Sequence, residues 1–226
     1  MGLFDTLLGR TKPVKADLDA LFALPSAAVT LQVTSGLVST RKAGVCFKPP
    51  AGQNFTDMQS ELEKMLDLGD VTNPATGAAA PTVSSTPPGG PAPASPSAST
   101  LTVRHVADSF GYRWILVEGG DLDDLVTRVH MVHSSIEDAG WSPQLLCSVF
   151  GFAPDASAGA TGSDAVNQPI FLVYLAKQGT FYPFAPTGHE QRDTELEMRI
   201  RGVLGNDLPV ESDLSRWFPI WDLPVA

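Results

Sequence analysis

The stretch Ile170-Phe-Leu-Val-Tyr-Leu-Ala-Lys-Gln-Gly-Thr-Phe-Tyr-Pro-Phe184 decides the class of fold. β-branched and aromatic residues fill Ile170–Ala176 and Thr180–Phe184, and Lys177-Gln-Gly179 leaves room only for a turn. Strands joined this tightly pair antiparallel. Upstream, Gln144–Phe152 predicts a further strand, followed by a long Ala/Ser/Gly-rich loop over Ala153–Pro169. The clearest helix precedes it. Asp121 is placed as its N-cap, Leu122, Leu125, Val126, Val129, Val132, His133 and Ile136 form its apolar stripe, and Gly140 ends it. Leu101–Ala107 and Tyr112–Glu118 read as strands around Asp108-Ser-Phe-Gly111, and Thr194–Leu204 as the last helix.

The first part of the chain is less regular. Asp17–Leu24 predicts a short helix stopped by Pro25, with strands at Ala28–Thr34 and Gly44–Lys48. Thr56 would cap a helix over Asp57–Leu68, with Met58, Leu62, Met65 and Leu66 on one face. Residues 1–15 begin with Met1, Phe4, Leu7 and Leu8 on one helical face, followed by Arg10, Lys12 and Lys15. The element order predicts α+β: a mainly antiparallel sheet with helices packed on one face. Segments 28–68 and 101–139 share a strand–strand–helix order, which suggests a pseudo-repeat. Residues 73–100 hold seven prolines and neither a charged nor an aromatic residue. So little apolar surface cannot offset ordering entropy, and a structureless tether is expected. The organisation is therefore an amphipathic segment 1–15, an α+β part 16–72, the insert 73–100 and a main part 101–226, with 16–72 and 101–226 forming one composite domain.

Composition sets outer bounds. The 226 residues are 43% hydrophobic, enough to bury a core, and no run approaches the ~20 apolar residues of a membrane span. The net charge is -10, concentrated in residues 101–226, so a nucleic-acid surface is not expected. Two cysteines, Cys46 and Cys147, cannot form a four-thiolate zinc site. The expectation is a cytoplasmic protein without cofactor or metal.

Catalytic motifs are missing. His130-Met-Val-His133 has helical i, i+3 spacing, but zinc needs a third ligand, and His133 falls in the apolar stripe. A core histidine is the expected role, and a metal-dependent or small-molecule enzyme built on His130 and His133 is the alternative. Cys147 and Cys46 lie in apolar strands, where burial disfavours a reactive thiolate. No nucleophile elbow, dinucleotide fingerprint or P-loop is present. Two aromatic clusters stand out: Phe181, Tyr182 and Phe184 near one strand end, and Trp217, Phe218 and Trp221 in the tail. Rings of this size serve as core or as partner anchors, and both roles are open for these six. Phe4, Leu7 and Leu8 with the basic residues behind them suit contact with an anionic bilayer, docking in a partner groove, or packing on the protein's own sheet.

Several segments together carry a likeness. Gly2-Leu-Phe-Asp-Thr-Leu-Leu-Gly9, Leu21-Phe-Ala-Leu-Pro-Ser-Ala-Ala28, His133-Ser-Ser-Ile-Glu-Asp-Ala-Gly140, Gln144-Leu-Leu-Cys-Ser148, Gly179-Thr-Phe-Tyr-Pro-Phe-Ala-Pro186, Arg201-Gly-Val-Leu-Gly205 and Arg216-Trp-Phe-Pro219 resemble the PspA-associated protein family PspAB. The likeness spans the chain apart from its two low-complexity stretches. It implies a bacterial, non-enzymatic accessory role in the phage-shock or envelope-stress response, with PspA, an ESCRT-III-like membrane-remodelling protein, or a related envelope-stress protein as partner. It brings no catalytic residues; the location expected from composition is cytoplasmic, with residues 1–15 allowing peripheral contact at the inner face of the plasma membrane. The strand–helix order also resembles the type III secretion chaperone-like topology of YbjN-type proteins.

Overall fold

Pro25 opens a helix where the sequence pattern has it close one. The computed structural model describes residues 17–48, 101–156 and 165–225. In it a 3-10 turn over Leu18–Ala23 runs directly into helix α1, Leu24–Ser35. Proline suits the first turn of a helix because the amide hydrogen it lacks would have no helical partner there. Gly36 ends α1 in the left-handed region at φ 67°, its amide donating to the Gln32 carbonyl at 3.1 Å. Ala28–Thr34 is therefore helical, which corrects the strand expected there. Val29, Leu31 and Val33 alternate as a strand would, but burial follows helical spacing. Leu24, Ala27, Leu31 and Ser35 face inward, while Val29 and Val33 are 61% and 81% exposed. The pseudo-repeat falls with that strand. Leu18–Ser35 is also long and apolar enough, by length and composition alone, to cross a membrane. Here Leu21, Leu24, Ala27 and Leu31 lie fully buried in the protein core, and a core helix passes the same test.

Six strands form one sheet in the order β2-β3-β1-β4-β5-β6, and every neighbouring pair is antiparallel. They are β1 (Leu37–Phe47), β2 (Thr102–Ala107), β3 (Arg113–Glu118), β4 (Leu145–Pro154), β5 (Ile170–Leu175) and β6 (Thr180–Phe184). A small hairpin of β7 (Pro186–Gly188) and β8 (Gln191–Arg192) leads into helix α3, Thr194–Leu204. Helix α2, Leu122–Asp138, carries the chain from β3 over β1 to β4. Its start is a capping box: the Asp124 amide donates to Asp121 at 2.9 Å, and the Asp121 amide to Asp124 at 3.1 Å.

Alternation along the strands makes two apolar faces. Val45, Ile115, Val117, Phe150, Leu172 and Tyr174 meet Leu31, Val129, Val132 and Ile200 of the helices. The opposite face bears Cys46, Trp114, Cys147, Val173, Leu175, Tyr182 and Phe184. No helix covers it among the described residues; the C-terminal tail does, through Trp217, Leu223 and Val225. The tail is pinned by polar contacts. Tyr182 Oη donates to the Phe218 carbonyl at 2.7 Å, and Trp217 Nε1 to the Glu211 carbonyl at 3.1 Å. Arg192 Nη1 donates to the Trp217 carbonyl at 2.7 Å, while its Nε reaches both oxygens of the buried Glu197 at 2.9 Å. Gly44 gives the tail room: a Cβ there would stand 2.9 Å from Val225 Cγ1. Residues 1–15, the expected helix over 57–68 and the insert 73–100 lie outside the described residues. So does 157–164 of the loop after β4.

Candidate functional site

Cys46 and Cys147 sit directly opposite each other in the β1–β4 ladder, both buried and both free. The Cys46 thiol, hydrogen-bonded with Cys147 and desolvated, is held far above the ordinary cysteine range. A protonated thiol is a small apolar surface rather than a nucleophile. The pair forms a floor together with Trp114, Leu175 and Tyr182.

One wall is the turn between β2 and β3. Asp108 accepts the amides of Phe110 at 2.9 Å and Tyr112 at 2.8 Å on one oxygen, and Trp114 Nε1 at 3.0 Å on the other. An aspartate that bonds its own following amides locks a tight turn, and Gly111 supplies the φ of 84° that completes it. The result holds Phe110 out into solvent, 59% exposed. The other wall is the tail, Phe218-Pro-Ile-Trp221, with Trp221 edge-on to Phe184 at 5.5 Å between centroids. Phe218 is 61% exposed on that lip. Between the walls lies a cleft of about 440 Å³, within the range of ligand sites. Both Asp108 oxygens and the Tyr182 hydroxyl are already bonded, so the cleft offers apolar surface, suited to an inserted ring or aliphatic side chain.

The candidate aromatics separate by burial. Phe181 is core on the helical side, tilted against Tyr174 at 5.1 Å. Tyr182 stacks on Trp217 at 5.8 Å, and Phe184 is buried beside them. Burial holds the Tyr182 hydroxyl above the ordinary tyrosine range. Packing within the protein thus occupies Phe181, Tyr182, Phe184 and Trp217, and leaves Phe218 and Trp221 at the cleft. Phe4, Leu7 and Leu8 lie outside the described residues. The sequence reading misses Phe110, Tyr112 and the facing cysteines as one site. A phenylalanine inside the polar turn Asp108-Ser-Phe-Gly111 is the signal that could have found the first of them.

His133 is in the core, as its helical position implies. Its Nε2 lies 2.6 Å from Ser148 Oγ and its ring 5.8 Å from that of Tyr174. Burial, with a smaller contribution from His130, pushes its pKa down to about 3, so the ring is neutral at pH 7. The His130 ring packs on Phe22 at 5.0 Å. Among the described residues no group of three or more His, Cys, Asp or Glu is placed to hold a metal ion.

The class is an all-antiparallel α+β sheet with helices on one side and an aromatic cleft beside the C-terminal tail on the other. The family model described as PspA associated protein B matches residues 1–80 and 93–225, and the chain belongs to that family. The unmatched stretch 81–92 lies inside the proline-rich insert. No curated protein and no solved structure matches the chain.

Proposed function

We propose that this chain is a non-enzymatic accessory protein of the bacterial envelope-stress response that binds PspA, and that the cleft between Phe110 and Phe218 is the contact. Family membership supports the partner. The observation that carries the surface is the cleft itself: a rigid sheet floor with two large rings held in water on opposite lips. Exposed aromatics around a preformed apolar pocket match the anatomy of binding hot spots. The acidic charge disfavours nucleic acid as an alternative partner. The protein works in the cytoplasm, with transient contact at the inner face of the plasma membrane through Phe4, Leu7, Leu8 and the basic residues after them.

Purified full-length chain titrated with PspA tests this. Phe110→Glu with Phe218→Glu should weaken binding by at least about tenfold, since each ring is exposed and its replacement leaves the core intact. Unchanged affinity in that variant would reject the cleft as the contact, and no binding by the wild-type chain would reject the function. Flotation with anionic vesicles tests the membrane contact; a wild-type chain that stays with the bulk solution removes it.

A further inference from the structure

An open apolar cleft whose two lips are more than half exposed is a standing cost in water. Asp17, the first described residue, is fixed at one end of the sheet. Tyr174 Oη donates to the Asp17 carbonyl at 2.9 Å, and a Cβ on Gly179 would stand 3.1 Å from the Asp17 amide nitrogen. The Gly179 amide in turn donates to the Leu175 carbonyl at 2.9 Å, and Leu175 lines the cleft. Asp17 is thus held at the sheet end where β5 turns into β6, on the helix-covered side that Tyr174 faces, with the cleft on the opposite face. The antiparallel registers bring the beginning of β4 and the β2–β3 turn to that same end. Sixteen residues precede Asp17 in the sequence. The eight from Gly9 to Ala16 span up to roughly 26 Å when extended. That length is the reach available for Phe4, Leu7 and Leu8 to round the sheet end to the cleft face.

We propose that residues 1–8 dock into this cleft in cis, seating Phe4 and Leu7 between Phe110 and Phe218 above the Cys46–Cys147 floor. The chemistry matches on both sides. The segment offers aromatic and aliphatic side chains, and the cleft is lined mainly by apolar ones, with both Asp108 oxygens and the Tyr182 hydroxyl already bonded. Tethering raises the local concentration of the segment to about millimolar, so even a weak docking constant of about 0.1 mM keeps it mostly bound. If the cleft is the PspA contact, a point that rests on the preceding proposal, the N-terminal segment is its built-in competitor. A bilayer would draw on the same side chains, so membrane contact and cleft occupancy exclude each other.

Hydrogen–deuterium exchange on the full-length chain reads the docking directly. In Phe4→Glu/Leu7→Glu, amides of residues 108–112 and 217–221 should exchange roughly tenfold faster than in wild type. Phe218→Glu, a change at an exposed side chain, should reciprocally speed exchange in residues 1–8. Unchanged exchange in both variants overturns the proposal. Protection that disappears on dilution also overturns it, because a second copy would then supply the segment. PspA titration separates the two proposals. Faster exchange with roughly tenfold tighter PspA binding by Phe4→Glu/Leu7→Glu supports both. Faster exchange with unchanged PspA affinity keeps the cis docking and removes the cleft from PspA. Unchanged exchange, with PspA binding still lost in Phe110→Glu/Phe218→Glu, overturns the cis docking alone.

Discussion

Replacing His133 and Ser148 together, as His133→Leu with Ser148→Ala, should make this protein more tolerant of acid. The folded state holds the His133 pKa at about 3, against an ordinary value of 6.5, because the ring is buried against Ser148 and Tyr174. Above pH 6.5 the ring is neutral in both states and contributes no pH dependence. Between 6.5 and 3 the unfolded chain takes up a proton that the folded chain excludes, so stability falls by ~1.4 kcal/mol per pH unit. At pH 4.5 the loss is about 3 kcal/mol, a sizeable share of the roughly 5–15 kcal/mol that holds a typical domain together. Below pH 3 the loss levels off. His133→Leu alone leaves the buried Ser148 hydroxyl without its partner, at a cost of about 1 kcal/mol. Removing both partners avoids that cost and the titration together. Urea unfolding followed by tryptophan fluorescence at pH 7, 6, 5 and 4.5 measures it. Carboxylates common to both proteins cancel in the difference, which should shift by about 3 kcal/mol in favour of the variant from pH 7 to 4.5. Curves that stay parallel within about 0.5 kcal/mol would refute the reasoning.

Gly44→Val should force Val225 and the tail off the sheet, costing about 1–3 kcal/mol by overpacking. Thermal melting and accelerated proteolysis of the C-terminus are the readouts, and an unchanged tail would show that β1 yields instead. Arg192→Met should be strongly destabilising, by about 3 kcal/mol, because it strands the Glu197 carboxylate, which is only 1% exposed. Chemical denaturation should show most of that loss recovered when Glu197→Leu is added. Deleting residues 73–100 should move the melting temperature by less than about 2 °C, since loop length enters stability only logarithmically. Limited proteolysis of the intact chain should cut in that insert first, and a large fall in melting temperature on deletion would contradict the tether expected from its composition.

The strands β2 to β6, both later helices and the ends of α2 were legible because their signals are local. Period-two alternation, Asp121 with Gly140, and the Lys177-Gln-Gly179 turn act over a few residues each. At α1 the local signals mislead. The alternation of Val29, Leu31 and Val33 argues for a strand and Pro25 reads as a stop, whereas in the structure Pro25 and Gly36 mark the two ends of a helix. Packing of Leu24, Ala27 and Leu31 against the core settled the matter. The two aromatic clusters were visible as such. Their separate fates depend on which strand face each ring occupies and where the tail lies across that face.

What the sequence alone determined is the α+β class, the antiparallel pairing of the hairpins, the core position of His133 and the family likeness. Each follows from spacing within one element or from the order of short segments. The tertiary structure alone decided that Cys46 faces Cys147 and that Phe110 and Phe218 stand on opposite lips of one cleft. These residues lie tens to more than a hundred positions apart. No local periodicity encodes such a meeting; it arises when β1 inserts between β3 and β4 and the tail closes over the face that the helices leave bare.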